Sequence, residues 1–159
     1  MKSDVEIRIA SPRESEKIAS VICEAFAEFE SCYTPEAFAA TTPTAEKIRK
    51  RFDEGAIWAA LKNKKIIGTV SVIAEGEKLY IRSMAVSRAV QGLGIGRKLL
   101  EAVGKFAVEN GFKSLFLYTT PFQAGAIRLY EQNGFERGKD ENPDDFFGTP
   151  GFAMEKKLN

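Results

Sequence analysis

Three glycines at alternate positions mark the segment of this 159-residue chain that is best suited to chemistry, residues 91–96. Glycine keeps a loop free of bulky side chains, so that backbone N–H groups can converge on a ligand. The pattern that follows predicts a helix from Ile95, and the positive end of its dipole would face the same ligand. No Asp or Glu occurs from residue 82 to residue 99, whereas Arg88, Arg97 and Lys98 lie there. The segment therefore predicts a binding site for a phosphate group.

Two common phosphate-binding motifs fit this segment poorly. A dinucleotide fingerprint needs G-x-G-x-x-G, but its last position falls on Arg97 when the count starts at Gly92. The next predicted strand also ends, at residues 118–120, without an acidic residue to hold a ribose. A P-loop needs G-x-x-x-x-G-K-[ST], and here the lysine is misplaced and the hydroxyl for magnesium is missing. A nucleotide-binding enzyme of the Rossmann class is therefore disfavoured.

A third pattern, Q/R-x-x-G-x-G/A between a strand and a helix, is satisfied by residues 91–96. With this motif the sequence resembles the GNAT superfamily of N-acetyltransferases, in which it binds the pyrophosphate of coenzyme A. Residues 126–135, AIRLYEQNGF, resemble the second characteristic segment of that family. The two motifs follow each other in the family's order with a strand between them, and the resemblance extends over almost the whole chain.

The resemblance implies how acetyl-CoA, the co-substrate, would be held. The pyrophosphate would lie on the loop and the first helical turn, and the pantetheine arm would pair with the backbone of the strand before the loop. A backbone N–H of that strand would polarise the thioester carbonyl. Gln123 stands where many relatives carry Asn, and its amide would reach the pantetheine. The cofactor-binding residues predicted in this way are Met84, Ala85, Val86, Gln91, Gly92, Leu93, Gly94, Ile95, Gly96, Arg97, Lys98 and Gln123.

Tyr130 is the predicted catalytic residue, because by position it matches the family tyrosine that protonates the departing sulfur. A phenol is a proton donor at neutral pH. No general base is named: Glu75 and Glu77 lie in a predicted turn, and Arg82 occupies the strand of the meander where a base would stand. Ordered water is one route for the proton of the amine.

The elements that must position these residues follow from the periodicity of apolar residues. Alternation predicts strands at 5–9, 56–61, 65–73 and 78–86, the last three as an antiparallel meander. Helical spacing predicts helices over 11–30, 44–52, 95–110 and 124–132. The apolar run at 114–119 is typical of a strand buried on both faces, which makes a βαβ crossover across the loop. A weak strand near Phe135 and a last strand from Phe152 to about Lys156 close the chain.

The resemblance implies the fold class as well. It is α/β (α+β), the GNAT-type acyl-CoA N-acyltransferase fold, with a central mixed, mostly antiparallel sheet of about seven strands and about four helices. The length predicts a single domain over residues 1–159.

The composition limits which partners and which kinds of catalysis are expected for this chain. The net charge of +1 gives no global field for nucleic acid or an anionic membrane surface. No apolar leader or bilayer-length stretch occurs, which predicts a cytoplasmic protein. The chain contains no histidine, which excludes Ser-His-Asp and Cys-His catalysis and zinc sites of the Cys/His type, and no metal is predicted. Cys23 and Cys32 are interpreted as buried or idle thiols.

The acceptor is expected to enter over the first two helices and a late loop. Phe26, Phe29 and Tyr33 lie on the helical side, where Glu24, Glu28 and Glu30 are interpreted as solvated charges. The late loop carries an acidic run that would attract a cationic amine such as an aminoglycoside, a polyamine or a protein lysine, although a solvated loop is the simpler interpretation. That run is Asp140, Glu141, Asp144 and Asp145, and the aromatics Phe146 and Phe147 beside it leave a homodimer open.

The sequence therefore predicts an N-acetyltransferase. It would move an acetyl group from acetyl-CoA to a primary amine of a small molecule or peptide, by direct attack through a tetrahedral intermediate. The alternative from a different class is a non-catalytic domain that binds or senses acyl-CoA.

Overall fold

The framework of the fold is a seven-stranded sheet. The computed structural model describes residues 4–141 and 147–158, and of residues 139–141 only the backbone is described. The strands within this part of the chain are β1 (Val5–Ile9), β2 (Ile57–Lys62), β3 (Lys65–Glu75), β4 (Lys78–Val86), β5 (Ser114–Thr119), β6 (Glu136–Glu141) and β7 (Gly151–Lys157). Their order is β1-β2-β3-β4-β5-β7-β6, and only the β4–β5 pair is parallel. The predicted mixed, mostly antiparallel sheet is confirmed.

Five α-helices accompany the sheet in the described residues, one more than the predicted number. They are α1 (Ser15–Phe26), α2 (Pro35–Thr41), α3 (Ala45–Arg51), α4 (Ile95–Glu109) and α5 (Ala124–Gln132). The additional helix, α2, has the same length as α3, but its apolar residues follow one another at 37–40 and lack the helical spacing that predicted α3. Its start is nevertheless encoded locally, since Thr34 Oγ1 accepts a hydrogen bond from Ala37 N–H at 3.2 Å. The first predicted helix is also shorter than expected, because Ala27–Cys32 forms 3₁₀ turns.

The helices cover both faces of the sheet. Helices α4 and α5 pack on one face around a core that includes Leu99, Val103 and Phe152. Helices α1 and α3 pack on the other face, where Ile22 and Ile48 are fully buried. None of the helices within residues 4–141 and 147–158 has both the length and the apolar character needed to cross a membrane.

Both long helices of the second half end in the same way. In α4 the N–H of Phe112 reaches the carbonyl of Ala107 at 2.9 Å, and in α5 the N–H of Phe135 reaches the carbonyl of Tyr130 at 3.0 Å. The glycine between helix and phenylalanine has a positive φ in each case, 78° for Gly111. These are Schellman endings, as the repeated Asn-Gly-Phe indicates.

The two parallel strands β4 and β5 separate halfway along their length. They pair only at Lys78↔Ser114, Leu79↔Leu115 and Tyr80↔Phe116. Beyond that point β4 stays with β3 as far as Val86, and β5 stays with β7 as far as Thr119. A wedge-shaped gap therefore opens in the middle of the sheet, on the side where the glycine loop follows β4.

Candidate active site

The edge of β4 that faces the gap is shaped by a β-bulge. The register with β3 runs from Thr69↔Ala85 to Ser71↔Arg82, so two residues of β4, Ser83 and Met84, stand opposite one residue of β3. Ser83 takes up the irregularity with a φ of 55°, in the left-handed region. Past Tyr80, β4 has no ladder partner on the β5 side among the described residues. The backbone there is available to an extended ligand that adds itself as a strand.

A cavity of about 500 Å³ occupies the gap. Strand β4 contributes its residues from Tyr80 to Met84, and β5 contributes its end from Leu117 to Thr120. The helical side supplies Tyr33 from the segment before α2 and Tyr130 from α5. The volume suits a small organic group or the end of a longer ligand.

The glycine loop lies at the far end of β4, and its first two glycines are required by backbone conformation. Gly92 has a φ of 89° and Gly94 a φ of 76°, and a Cβ at either position would meet no atom within 4 Å. Gly94 is the N-cap of α4, and its carbonyl accepts the first helical hydrogen bond from Lys98 N–H at 3.1 Å. The loop from Gln91 to Gly94 is exposed. An exposed turn of this kind at a helix N-terminus suits an anionic group.

Gly96 has a different purpose from the one that the spacing suggested. A Cβ at this position would lie 2.7 Å from Cδ2 of Leu129 in α5 and 3.4 Å from Cε of Met84. The third glycine therefore allows the start of α4 to pack closely against α5, the helix that carries Tyr130.

Some of the other predicted cofactor-binding residues can contact a ligand with their side chains, and others only with their backbone. Met84 and Gln123 line the cavity. Ala85 and Ile95 are buried, so that only their backbone groups can face a ligand, and Leu93 is half-exposed in the loop. Val86 ends β4 and accepts a hydrogen bond from Gln91 Nε2 at 3.5 Å, whereas Arg97 and Lys98 lie in the first turn of α4.

Two carboxylates, Glu24 of α1 and Glu28 of the 3₁₀ turns that follow it, contact the segment that enters the loop. Ser87 Oγ donates to Glu24 Oε1 at 3.0 Å, and Arg88 Nη2 lies 3.8 Å from Glu28 Oε2. Both glutamates are exposed, as solvated charges are, but they also contact polar groups of the protein. They connect α1 and the 3₁₀ turns after it to the start of the candidate phosphate site, at the end of β4.

Tyr130 is held in the cavity wall by α5. Its side chain is 7% exposed, its ring lies 5.7 Å from that of Phe135, and its carbonyl is fixed by the Schellman ending. Burial, and to a lesser degree the phenol of Tyr33, raise the pKa of Tyr130 well above its ordinary value. The phenol is therefore neutral over the physiological range and can act as a proton donor.

Gln123 and Tyr33 join the two sides of the cavity. Gln123 Nε2 donates a hydrogen bond to the Tyr33 hydroxyl, across 90 residues of chain. The Tyr33 ring meets Phe122 edge-on at 4.9 Å. Burial raises the pKa of Tyr33, and the neighbouring polar side chains of Thr120, Thr41 and Gln123 offset part of the rise. Gln123 thus positions Tyr33, and its contact with pantetheine stays a prediction.

Two arginines stand in the cavity wall: Arg82, at the strand position where a base would stand, and Arg51, which the sequence did not place there. Arg51, at the end of α3, donates from Nη1 to Ser83 Oγ at 2.7 Å, next to the bulge. Burial, and then the charge of Arg82, lower the pKa of Arg51 to about 10. Arg82 Nη2 lies 2.5 Å from Glu54 Oε1. In the sequence, Arg82 differs from most of β4 by its charge. Arg51 is one of three basic residues in the last turn of α3, and nothing distinguishes it from the other two.

The tips of the late loop are described only in part. Asp144, Asp145 and Phe146 lie outside the described residues, as do the side chains of Asp140 and Glu141. Phe147 is 53% exposed. Cys23 and Cys32 are free and exposed. Within the described part of the chain no group of three or more acidic, Cys or His side chains is arranged to hold a metal ion.

Comparison with known sequences gives a consistent result. The sequence model of the acetyltransferase (GNAT) family matches residues 22–135. The chain is similar to the probable N-acetyltransferase camello of Xenopus tropicalis, 34% identical over 100 residues that cover 60% of this chain and 45% of the relative. It is also similar to N-acetyltransferase 8B of Rattus norvegicus, 32% identical over 86 residues that cover 50% of this chain and 39% of the relative. The chain thus spans less than half the length of these curated relatives.

Solved structures resemble the whole described fold. The PaiA N-acetyltransferase from Thermoplasma acidophilum, in complex with coenzyme A, has a TM-score of 0.83 at 21% identity and covers 98% of this chain and 99% of its own. A GNAT family acetyltransferase from Elizabethkingia anophelis with acetyl-CoA bound has a TM-score of 0.73 at 21% identity, covering 99% and 100%. At these identities the likeness concerns the fold. Because the family model covers most of the chain, the protein belongs to the acetyltransferase (GNAT) family.

Proposed function

We propose that the protein transfers an acetyl group from acetyl-CoA to a primary amine of a small molecule or peptide. The observation that carries the proposal is the gap between β4 and β5. It joins an exposed glycine turn at the end of β4 to a cavity of about 500 Å³ with a buried, neutral tyrosine in its wall. A long ligand with an anionic end and a reactive end fits this arrangement.

Several groups are suited to binding acetyl-CoA. Backbone N–H groups of residues 91–98 would hold the pyrophosphate, with Arg97 or Lys98 reaching the outer phosphates. The backbone of residues 84–86 would pair with the pantetheine arm as an added strand. That backbone lacks a partner on the β5 side in the described part of the sheet, which supports this assignment.

The same residues account for the steps of acetyl transfer. The amine forms a C–N bond to the thioester carbonyl, and a backbone N–H near the bulge stabilises the oxyanion. The C–S bond then breaks, and Tyr130 donates its proton to the departing sulfur. Burial keeps that phenol protonated until the sulfur develops charge. The described lining of the cavity contains no carboxylate to act as a base, so the amine would lose its proton to water.

A second candidate, a domain that binds or senses acyl-CoA without catalysis, is favoured by that same lack of a carboxylate in the described lining. Thiol release from acetyl-CoA over a panel of amines distinguishes the two. Amine-dependent release with an acetylated product by mass spectrometry supports the transferase. Tight binding of acetyl-CoA without release for any amine supports the sensor and contradicts the transferase.

A further inference from the structure

The charge of the cavity is the feature that the proposed chemistry does not use. Its described lining contains two charged side chains, Arg51 and Arg82, and both are cationic. A site built to receive a polyamine or another cation would have carboxylates in these places, because like charges in a partly dry cleft repel. The cationic acceptors that the acidic late loop suggested are therefore disfavoured by the cavity itself.

The arginines lie at the end of the cavity away from the glycine loop. Along β4 the order runs from Val86, beside the loop, through Met84 to Arg82 and Tyr80. Arg51 joins the same end, since it donates to Ser83 Oγ at 2.7 Å. The phosphates of coenzyme A belong to the loop end of β4, so they do not account for these two cations. The positive charge lies where the acceptor would stand.

The charge of the pair is only half compensated in the described structure. Glu54 lies 2.5 Å from Arg82 Nη2 and neutralises one of the two guanidinium groups. Arg82 Nε is buried and has no hydrogen-bond partner among the described residues. Arg51 feels a like charge from Arg82 in addition to its burial, and the single carboxylate of Glu54 offsets this only in part. A buried donor without an acceptor is costly, and an anion in the cavity would satisfy it.

The wall beside the arginines is aromatic. Tyr80 stacks on Phe116 at 5.0 Å with an interplanar angle of 14°, and Tyr118 meets Tyr80 edge-on at 5.5 Å. Tyr80 and Tyr118 line the cavity. A flat or apolar group next to the anion would pack against these rings.

We propose that the acceptor is an amino acid or a similar amino-carboxylate with an apolar or aromatic side chain, whose carboxylate is bound by Arg51 and Arg82. This inference rests on the proposed function and names the substrate class of the same site. The carboxylate satisfies the guanidinium donors, the side chain packs on Tyr80 and Tyr118, and the amine is left to face the thioester.

Matched acceptors test the inference. Phenylalanine, phenylalanine amide and phenethylamine share an aromatic side chain and differ in the carboxylate, and spermidine is the cationic contrast. In a thiol-release assay with acetyl-CoA, phenylalanine is expected to have a kcat/KM about 10- to 100-fold higher than the other three, mainly through KM. The amine of the amide has a lower pKa than the amine of the acid, so a larger fraction of it is unprotonated at neutral pH, and a preference for the acid over the amide cannot come from the supply of free amine.

Variants locate the effect. Arg51→Gln and Arg82→Gln are each expected to bring the ratio of kcat/KM for phenylalanine to that for phenethylamine close to one. In Arg82→Gln the carboxylate of Glu54 loses its ion-pair partner, and the double variant Arg82→Gln/Glu54→Gln removes this unpaired charge. Arg49→Gln is the matched control, because Arg49 is exposed on the same helix as Arg51. It should keep the ratio of the wild type.

The possible outcomes distinguish failure of this inference from failure of the proposed function. Acetylation of all four acceptors with no preference for the carboxylate overturns this inference and leaves the transferase standing. If none of the four is acetylated, the wider amine panel decides on the transferase, and calorimetry on the CoA-loaded protein tests the anion site with N-acetylphenylalanine and its amide. Tighter binding of the acid, lost in Arg51→Gln, upholds the site; equal binding or none overturns it.

Discussion

The left-handed turn at Gly94 allows a prediction whose size can be worked out from the structure. An alanine there would meet no atom within 4 Å, so the cost comes from its φ of 76° alone. A left-handed alanine costs about 1–2 kcal/mol. The stiffer unfolded chain offsets about 0.5 kcal/mol of this. The net cost of Gly94→Ala is therefore about 1 kcal/mol.

The cost of Gly94→Ala must appear in the stability of the free protein, in its affinity for coenzyme A, or divided between the two. If the loop keeps its shape, the free energy of unfolding falls by about 1 kcal/mol and the affinity for coenzyme A is unchanged. If the loop relaxes, stability is kept and the affinity falls about fivefold, the same free energy. Urea denaturation of the free protein and calorimetry with coenzyme A measure the two parts, which should add to about 1 kcal/mol.

Gly104→Ala is the matched control. Gly104 lies inside α4, where a Cβ also meets no atom within 4 Å and φ is not positive. This substitution is expected to raise the free energy of unfolding by about 0.5–1 kcal/mol and to leave the affinity for coenzyme A unchanged. The reasoning is refuted if Gly94→Ala alters neither quantity, or if Gly104→Ala weakens binding as much as Gly94→Ala.

Two further predictions concern the buried phenol and the N-terminal ion pair. Tyr130→Phe is expected to lower kcat about 100-fold at constant KM for acetyl-CoA, because a positioned proton donor is lost. An unchanged kcat in Tyr130→Phe would argue against Tyr130 as the donor. The hydrogen bond from Arg8, at 2.7 Å, lowers the pKa of Glu14 from its ordinary value to about 2. This pair therefore stabilises the fold above the unfolded pKa of the carboxyl, and the contribution is lost as pH falls towards 2. Since the pair is partly exposed, Glu14→Gln should cost about 1 kcal/mol at pH 7 and almost nothing at pH 2, by urea denaturation; an equal loss at both pH values would contradict this assignment.

The sequence predicted the helix ends well where a single residue type determines the backbone conformation. The second Asn-Gly-Phe ends α5 with a Schellman motif, and Thr44 caps α3 by accepting from Lys47 N–H at 3.3 Å. These features depend on residues within about one helical turn of each other, so the local sequence is enough to predict them. The segment Ala27–Cys32 was mistaken for a continuation of α1, since its apolar residues keep helical spacing while its backbone tightens to 3₁₀ turns.

The candidate site was predicted only in outline. The motif at residues 91–96 predicted a phosphate-binding end, and the resemblance to the family supplied Tyr130 as a candidate. The contact between Gln123 and Tyr33 joins residues 90 positions apart, and the approach of Arg51 to Ser83 depends on how α3 packs beside β4. Neither follows from a local pattern, because both depend on tertiary packing. The two arginines of the cavity wall could not be predicted from the acidic late loop either, since Asp144 and Asp145 lie outside the described residues.

The structure of the acetyl-CoA complex tests the central claim most directly. We predict the pyrophosphate on the backbone N–H groups of residues 91–96, the pantetheine in the gap beside residues 84–86, and the thioester sulfur within hydrogen-bond distance of the Tyr130 hydroxyl. A complex with the pantetheine outside the gap between β4 and β5, or with the sulfur far from Tyr130, would contradict the account.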